Sequence, residues 1–418
     1  MLLLFKLGLG YLLMLQLWLG HCLGRRKGPA SMGEEPPTWT FVGAVRWLFW
    51  AYWTLPALAD CECGYSLSLD LTGSDSLPAS HHVALFTDLI ESDFTRFDDI
   101  SQNTDWVRQA FNLTKDRARG DYGEMFAVEN AVVSPTSQTK GPSGGENNEE
   151  EEEAGLKLMV HSEPIENMIS VAEIDTRRLD MFWGTFRASM KMTDQKGTCA
   201  AFFWYFNDTQ EIDMEFLSKD FNSSNGSYPV NLVLQSRDAV MAGFDASKTS
   251  NFVKAYLPFD PAGDFHEYRI DYLPGRVFFY ADGIVLAEME GNAVPTSPGH
   301  LILQHWSNGN KLWSGGPPAN DAALTVRYVK AYFNSSTIQR QKDWHGRCKD
   351  VDAGNATCKI PDITPIDKSA AGWFFKDKKN TTNNQTISGQ SQGSRLERVW
   401  WLVMGTFLFL NGRTFALW

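Results

Sequence analysis

The sequence predicts an all-β protein, a β-sandwich of the jelly-roll kind, and three observations carry that reading. From Leu156 to Phe333 apolar and polar residues alternate with the period of two that a strand imposes. Turn signals recur at short spacing; Asp282-Gly283, between Val277–Ala281 and Ile284–Leu286, suits a type I′ hairpin. No stretch of useful length carries the apolar stripe of a helix, and many short strands without helices fold as two packed sheets.

The elements follow in order. Phe186, Ala188, Met190 and Met192 alternate with Thr185, Arg187, Ser189 and Lys191, one strand with an apolar and a polar face. His266, Tyr268, Ile270 and Tyr272 alternate with Glu267, Arg269 and Asp271 in a second. Leu324–Phe333, rich in β-branched and aromatic residues, reads as a third. Residues 60–340 are expected to form the main domain, interrupted at 134–155 by SPTSQTKGPSGGENNEEEEEAG, a disordered acidic insertion whose glutamates read as a solvated run rather than a metal site. Residues 341–395 turn polar and read as a glycosylated stalk. The tail 396–418 holds an apolar run, Val399–Leu410, too short for a membrane span. Small residues precede it (Ser388-Gly389, Gly393-Ser394), the order of a candidate GPI-anchor signal; Arg398, Asn411 and Arg413 interrupt that pattern, and mis-assigned coding sequence is the rival reading.

Residues 1–24 and Val42–Leu58 are two apolar runs, the second ending Ala57-Leu58-Ala59 before Asp60, a small-x-small cleavage signal. A leader over 1–59 is therefore expected, with the mature start near Asp60. A coding sequence extended upstream of a true start at Met32 accounts for the doubled run; a signal anchor is the alternative reading. Eight sequons (Asn112, Asn207, Asn222, Asn225, Asn334, Asn355, Asn380 and Asn384) point to a secreted or cell-surface glycoprotein. Export favours disulfides. Cys348 and Cys358 close a short loop and are the expected pair, while Cys61-Glu62-Cys63 is too tight for a mutual bridge. Cys61, Cys63 and Cys199 cannot then all pair with one another, so one is free or Cys22 belongs to the mature chain. A net charge of −12 argues against nucleic acid or an anionic membrane surface as the main partner. No CxxC or His/Cys pattern suggests zinc.

The chemistry is expected on Glu211-Ile212-Asp213-Met214-Glu215. In a strand the three carboxylates share one face and Ile212, Met214 and Phe216 the other. Three like charges on one face repel, and solubility alone does not ask for them. Paired carboxylates in a sugar-binding cleft are what cleavage of a glycosidic bond requires. A central Asp213 can hydrogen-bond one glutamate and hold the two outer groups in different protonation states. Three acids on one strand face supply too few oxygens for calcium, which wants about six to eight.

This run resembles the signature of glycoside hydrolase family 16, Glu-aliphatic-Asp-x-Glu on one strand of a concanavalin A-like jelly roll. Trp183-Gly184-Thr185-Phe186-Arg187-Ala188 is similar to a neighbouring strand of that family, and Phe265–Asp271 with Phe279–Gly283 resemble its paired strands near the end of the domain. His305-Trp306-Ser307-Asn308-Gly309, followed by Leu312–Pro317, is similar to a fungal branch of cell-wall glucan and chitin–glucan transglycosylases. The resemblance covers about residues 60–335. It implies Glu211 as nucleophile, Asp213 as its assistant and Glu215 as acid/base, acting by double displacement on cell-wall β-glucan, with xyloglucan or chitin–glucan as further substrates. It implies no required cofactor and allows a structural calcium whose place the sequence does not give.

Resemblance and strand parity together make Trp306 and Gln304 substrate-binding candidates, with Asn308 on the same face. Trp313, in a Gly/Pro-rich loop, and Tyr205 are further candidates to line the cleft. His305, of opposite parity, reads as a core histidine. The expected partner is a polysaccharide, with membrane contact only through the lipid anchor, and the expected state is a monomer. The rival reading is a lectin of the same fold that holds glycans without cutting them.

Overall fold

The computed structural model describes residues 60–69, 82–134, 153–378 and 381. The leader 1–59, most of the acidic insertion, the tail 396–418 and the sequons at Asn380 and Asn384 lie outside the described residues. The first strands are β1 (Gly64–Leu69), β2 (His82–Phe86), β3 (Asp88–Asp93), β4 (Trp106–Arg108), β5 (Phe111–Leu113), β6 (Gly123–Phe126) and β7 (Ala131–Ser134). They continue as β8 (Gly155–Val160), β9 (Met168–Thr176), β10 (Met181–Lys191), β11 (Cys199–Asn207), β12 (Gln210–Leu217), β13 (Pro229–Gln235) and β14 (Phe252–Tyr256). The last are β15 (His266–Leu273), β16 (Arg276–Ala281), β17 (Ile284–Glu290), β18 (His300–Trp306), β19 (Ala322–Ser335) and β20 (Thr357–Lys359). Among the described residues the helices are short: α1 (Lys115–Ala118), α2 (Arg237–Met241) and α3 (Ile338–Arg347). None is long and apolar enough to cross a membrane.

Nine strands form one sheet in the order β14-β13-β12-β11-β18-β9-β6-β5, with β4 against β9. Eight form a second, β17-β16-β15-β10-β19-β8-β7, with β3 against β19. Within these two sheets every pairing but β6 with β9 is antiparallel. The period-two pattern decides what lies between them. Phe202, Trp204, Ile212, Met214, Phe216, Leu301 and Leu303 come from the nine-stranded sheet; Phe186, Met190, Tyr268, Ile270, Val329 and Phe333 come from the eight-stranded one. Together they form one apolar core of a two-sheet, concanavalin A-like jelly-roll sandwich, as the sequence predicts. Asp282 and Gly283 turn β16 into β17 with φ of 46° and 76°, the positive pair that a type I′ turn requires.

Two expectations are corrected. The disulfides are Cys61–Cys358 and Cys63–Cys348, with Cα separations of 5.0 and 4.6 Å, and Cys348 does not pair with Cys358. Sheet pairing overrides short loop closure here. β1 runs parallel to β20 with Tyr65 opposite Cys358, which lays the C-terminal segment along the N-terminal strand. Cys199 is left free and buried.

The second correction concerns the stalk. From 344 to 359 the chain is held against β1 and the residues before it, and from 361 to 378 it lies on the outer face of the eight-stranded sheet. Arg187 donates to the Pro361 carbonyl at 2.8 Å and to Asp362 at 2.6 Å. Lys330 donates to the carbonyls of Ala370 and Ala371, and the Phe375 ring sits 4.9 Å from Tyr65 and 6.0 Å from Tyr332. A few of its residues pair with polar side chains of β10, β15 and β19 while most of the rest stays exposed, so its polar composition does not make it a free stalk. The Asn334 sequon is also committed to the fold: its amide accepts from the Thr87 N–H and donates to the Leu85 carbonyl.

Candidate active site

Register alone builds the floor of the site. Ile212, Met214 and Phe216 point into the core, so Glu211, Asp213 and Glu215 point out of the nine-stranded sheet. Cross-strand pairing then sets their neighbours. Glu215 lies in a row with Asn231, Ala201, Gln304 and Glu173. Asp213 lies in the next with Val233, Phe203, Ile302 and Asp175. Glu211 lies in the third with Gln235, Tyr205 and His300. Rows repeat every second residue, about 6.6 Å, and strands lie about 4.8 Å apart. Gln304 is therefore about 10 Å across the floor from Glu215.

Asp213 is buried, while Glu211 and Glu215 are half-buried. Burial raises all three carboxyls above the ordinary range. At Asp213 the neighbouring charges of Glu211 and Glu215 and a hydrogen bond with Glu211 push the same way. At Glu211 the Asp213 hydrogen bond opposes burial, and at Glu215 the Trp313 hydrogen bond does. A protonated Asp213 donating to an ionised Glu211 is the arrangement these directions favour. The Arg119 guanidinium lowers both outer glutamates.

Two loop systems flank the acid row. On one side, the turn after α1 is tied to the loop after β18: Asn308 donates to the Ala118 carbonyl at 2.7 Å and Asn310 to that of Arg119. On the other, the segment from Ser236 to Asn251 packs Ala239 and Ala246 against Val233 and Phe252. The walls touch. Arg119 lies 4.6 Å over the Phe244 ring, a cation–π contact, and Trp313 lies 6.4 Å from Phe252.

The sequence-predicted residues divide as follows. Glu211, Asp213, Glu215, Gln304 and Tyr205 share the floor. Trp306 is half-buried one row beyond Glu215, opposite Cys199, and packs beside Val160 and Phe126. The Trp313 indole N–H donates to Oε1 of Glu215 at 3.1 Å. Asn308 is buried and spent on the protein, since its amide donates to Ala118 and its oxygen accepts from Asn310 N–H and the Ser314 hydroxyl. It ties the wall together and presents no group to a ligand. His305 is a core residue, its Nδ1 2.8 Å from the Leu158 carbonyl and burial holding its pKa down to about 4.

Sequence reasoning missed a second group of acids. Glu173 and Asp175 on β9 share the floor, and burial raises them to about 8 and about 7. Glu124 on β6 is likewise raised to about 8 by burial. Gln304 donates to Glu173, and Gln109 donates to Asp175 at 2.8 Å. A signal was available: Glu173-Ile174-Asp175 repeats the first three residues of Glu211-Ile212-Asp213. Among the described residues no group of three or more His, Cys, Asp or Glu is arranged to hold a metal ion.

Parts of this chain are similar to known proteins. The chain is 32% identical over 139 residues to a beta-glucanase of Paenibacillus macerans, covering 32% of this chain and 52% of that one. It is 30% identical over 166 residues to a beta-glucanase of Paenibacillus polymyxa, covering 38% and 62%. The chain thus spans between half and two thirds of the length of these curated relatives. A solved catalytic domain of an endo-1,3-beta-glucanase (laminarinase) from Thermotoga petrophila aligns with 60% of this chain and 99% of its own, at 17% identity and a TM-score of 0.44. The sequence profile of glycosyl hydrolases family 16 matches residues 137–330, which include the whole acid strand and the loop of Trp313. Over residues 137–330, therefore, the chain is similar to the glycosyl hydrolases of family 16.

Proposed function

We propose that this protein is a retaining glycosidase or transglycosylase that cleaves O-glycosyl bonds in cell-wall β-glucan. The observation that carries the reading is the carboxylate trio on the outward face of β12, each member raised by burial above its ordinary range. Glu211 attacks the anomeric carbon as its C–O bond to the leaving sugar breaks. The electron pair stays on the glycosidic oxygen, which takes the Glu215 proton. A covalent glycosyl-enzyme results. Glu215, now a base, removes a proton from water or from an acceptor sugar hydroxyl, and that oxygen displaces Glu211. Asp213 holds Glu211 by a hydrogen bond. This chemistry asks for no cofactor.

β-Glucan is the favoured substrate because the matched relatives include beta-glucanases. The stretch His305–Pro317 supports a place near fungal chitin–glucan transglycosylases, and a match of 27% identity over 184 residues to xyloglucan endotransglucosylase protein 7 of Diospyros kaki keeps xyloglucan among the substrates to test. Two disulfides and the sequons support a secreted or cell-surface location, with a GPI anchor as the proposed tether.

The test is product analysis on laminarin, lichenan, xyloglucan and chitin oligomers, with and without an added acceptor sugar. Cleavage or chain transfer that Glu211→Gln and Glu215→Gln abolish supports the proposal. Glycan binding without any product, in a folded protein, supports the lectin reading instead.

A further inference from the structure

Two side chains converge on a single oxygen of the acid/base glutamate. The Trp313 N–H reaches Oε1 of Glu215 at 3.1 Å from the loop after β18. The Cys199 thiol, fully buried on the neighbouring strand β11, lies 3.9 Å from the same oxygen and 3.8 Å from the Ala200 carbonyl. Among the described residues no hydrogen bond is made to Oε2. An indole nitrogen has a proton to give and no lone pair to accept with. Oε1 is therefore an acceptor in either charge state of Glu215, and a carboxyl proton has its place on Oε2.

We propose that Trp313 and Cys199 are positioning residues that clamp Oε1 of Glu215 and so make Oε2 the oxygen that gives and takes the catalytic proton. The proposal rests on Glu215 being the acid/base. It changes the role of Trp313 from a wall for sugar to a donor for the carboxyl. Its ring also meets Phe252 across the groove, so the loop that carries it is braced on both sides. Cys199 braces the carboxyl from the sheet. Because Trp313 favours the ionised form of Glu215, losing its N–H moves the Glu215 pKa upward.

The experiment uses Trp313→Phe, which keeps a ring and removes the N–H, on two substrates: a natural glucan, and a dinitrophenyl glycoside of the same oligosaccharide whose leaving group needs no proton. For the glucan, kcat is expected to fall about tenfold, the scale of one hydrogen bond to a charged group, with KM little changed. The loss should shrink on the dinitrophenyl glycoside, and the basic limb of the pH profile should move to higher pH. An equal loss on both substrates, a loss confined to KM, or an unmoved basic limb overturns the proposal. Cys199→Ser, which keeps a donor, should retain more kcat on glucan than Cys199→Ala; the reverse order counts against the clamp. A thermal melt of each variant shows that it is folded. Glu215→Gln separates the two levels of the argument. If it is inactive on glucan while Trp313→Phe is unaffected, the clamp falls and the acid/base assignment stands. If Glu215→Gln keeps full activity on glucan, both fall.

Discussion

The two outer faces of the sandwich both hold charge away from water, and they resolve it in opposite ways. On the eight-stranded sheet, acids and bases are matched. Arg269 meets Asp271 at 2.6 Å and Asp362 at 3.0 Å, Arg187 meets Asp362, and Lys368 meets Asp282 at 2.8 Å. The C-terminal segment supplies partners there and closes over the sheet. On the nine-stranded sheet the acids outnumber the bases. Glu124, Glu173, Asp175, Glu211, Asp213 and Glu215 are all raised by burial, and Arg119 is the cation that reaches several of them. One face uses charge to hold structure. The other leaves it unmatched, which is the condition for proton transfer near neutral pH.

Mutation can break this contrast, starting with the largest effect. Glu211→Gln is expected to lower kcat on glucan by at least about 10³-fold through loss of the proposed nucleophile, with the unfolding midpoint held or raised. Steady-state rates and a thermal melt on one preparation check both halves. On the opposite face Asp271→Ala should do the reverse. It strips a buried guanidinium of its bidentate partner and should cost about 3–5 kcal/mol in denaturant unfolding, while the protein that remains folded keeps its kcat.

The third comparison sets one disulfide against the other. With Cys61–Cys358 intact, Cys63–Cys348 closes only the small ring formed by 61–63 and 348–358. Its removal by Cys63→Ala with Cys348→Ala should cost about 3 kcal/mol, less than loss of both bridges. The fourth test is the smallest in effect and sharpest in sign. Glu124 and Glu173 are raised to about 8 in the folded protein, so it binds more protons than the unfolded chain above the ordinary carboxylate range. Their contribution is full at low pH and is lost as pH rises towards about 8. Asp282 is the opposite case. Burial raises it, but His266, Lys368 and the Glu267 N–H together hold it below its ordinary value, so its contribution is lost as pH falls. Melts across pH should show Glu173→Gln flattening the alkaline side and Asp282→Asn the acid side.

Strand periodicity made the sandwich and the acid trio legible, because a period of two fixes both the core face and the face opposite it. Parity also placed Gln304 on the floor and His305 in the core. It misplaced Asn308, since parity ends where the strand ends and the loop after Trp306 turns that amide inward. Arg119 and Phe244 meet through two loops that no local pattern pairs. The disulfides and the packing of 341–378 were hidden for a related reason. Both depend on where β20 docks, a contact made across nearly three hundred residues, and composition reports only that the segment is polar.

The paired bridges have a consequence for how the molecule fails. Cys61 and Cys63 sit at one extremity of the sandwich sequence and Cys348 and Cys358 at the other, so the chain between them is a closed ring. A protease that nicks this ring once, in the glutamate-rich insertion for instance, opens it without releasing a fragment. The two pieces would migrate as one species until a reductant parts them, and a cut between β7 and β8 would leave those strands paired to each other and β8 to β19.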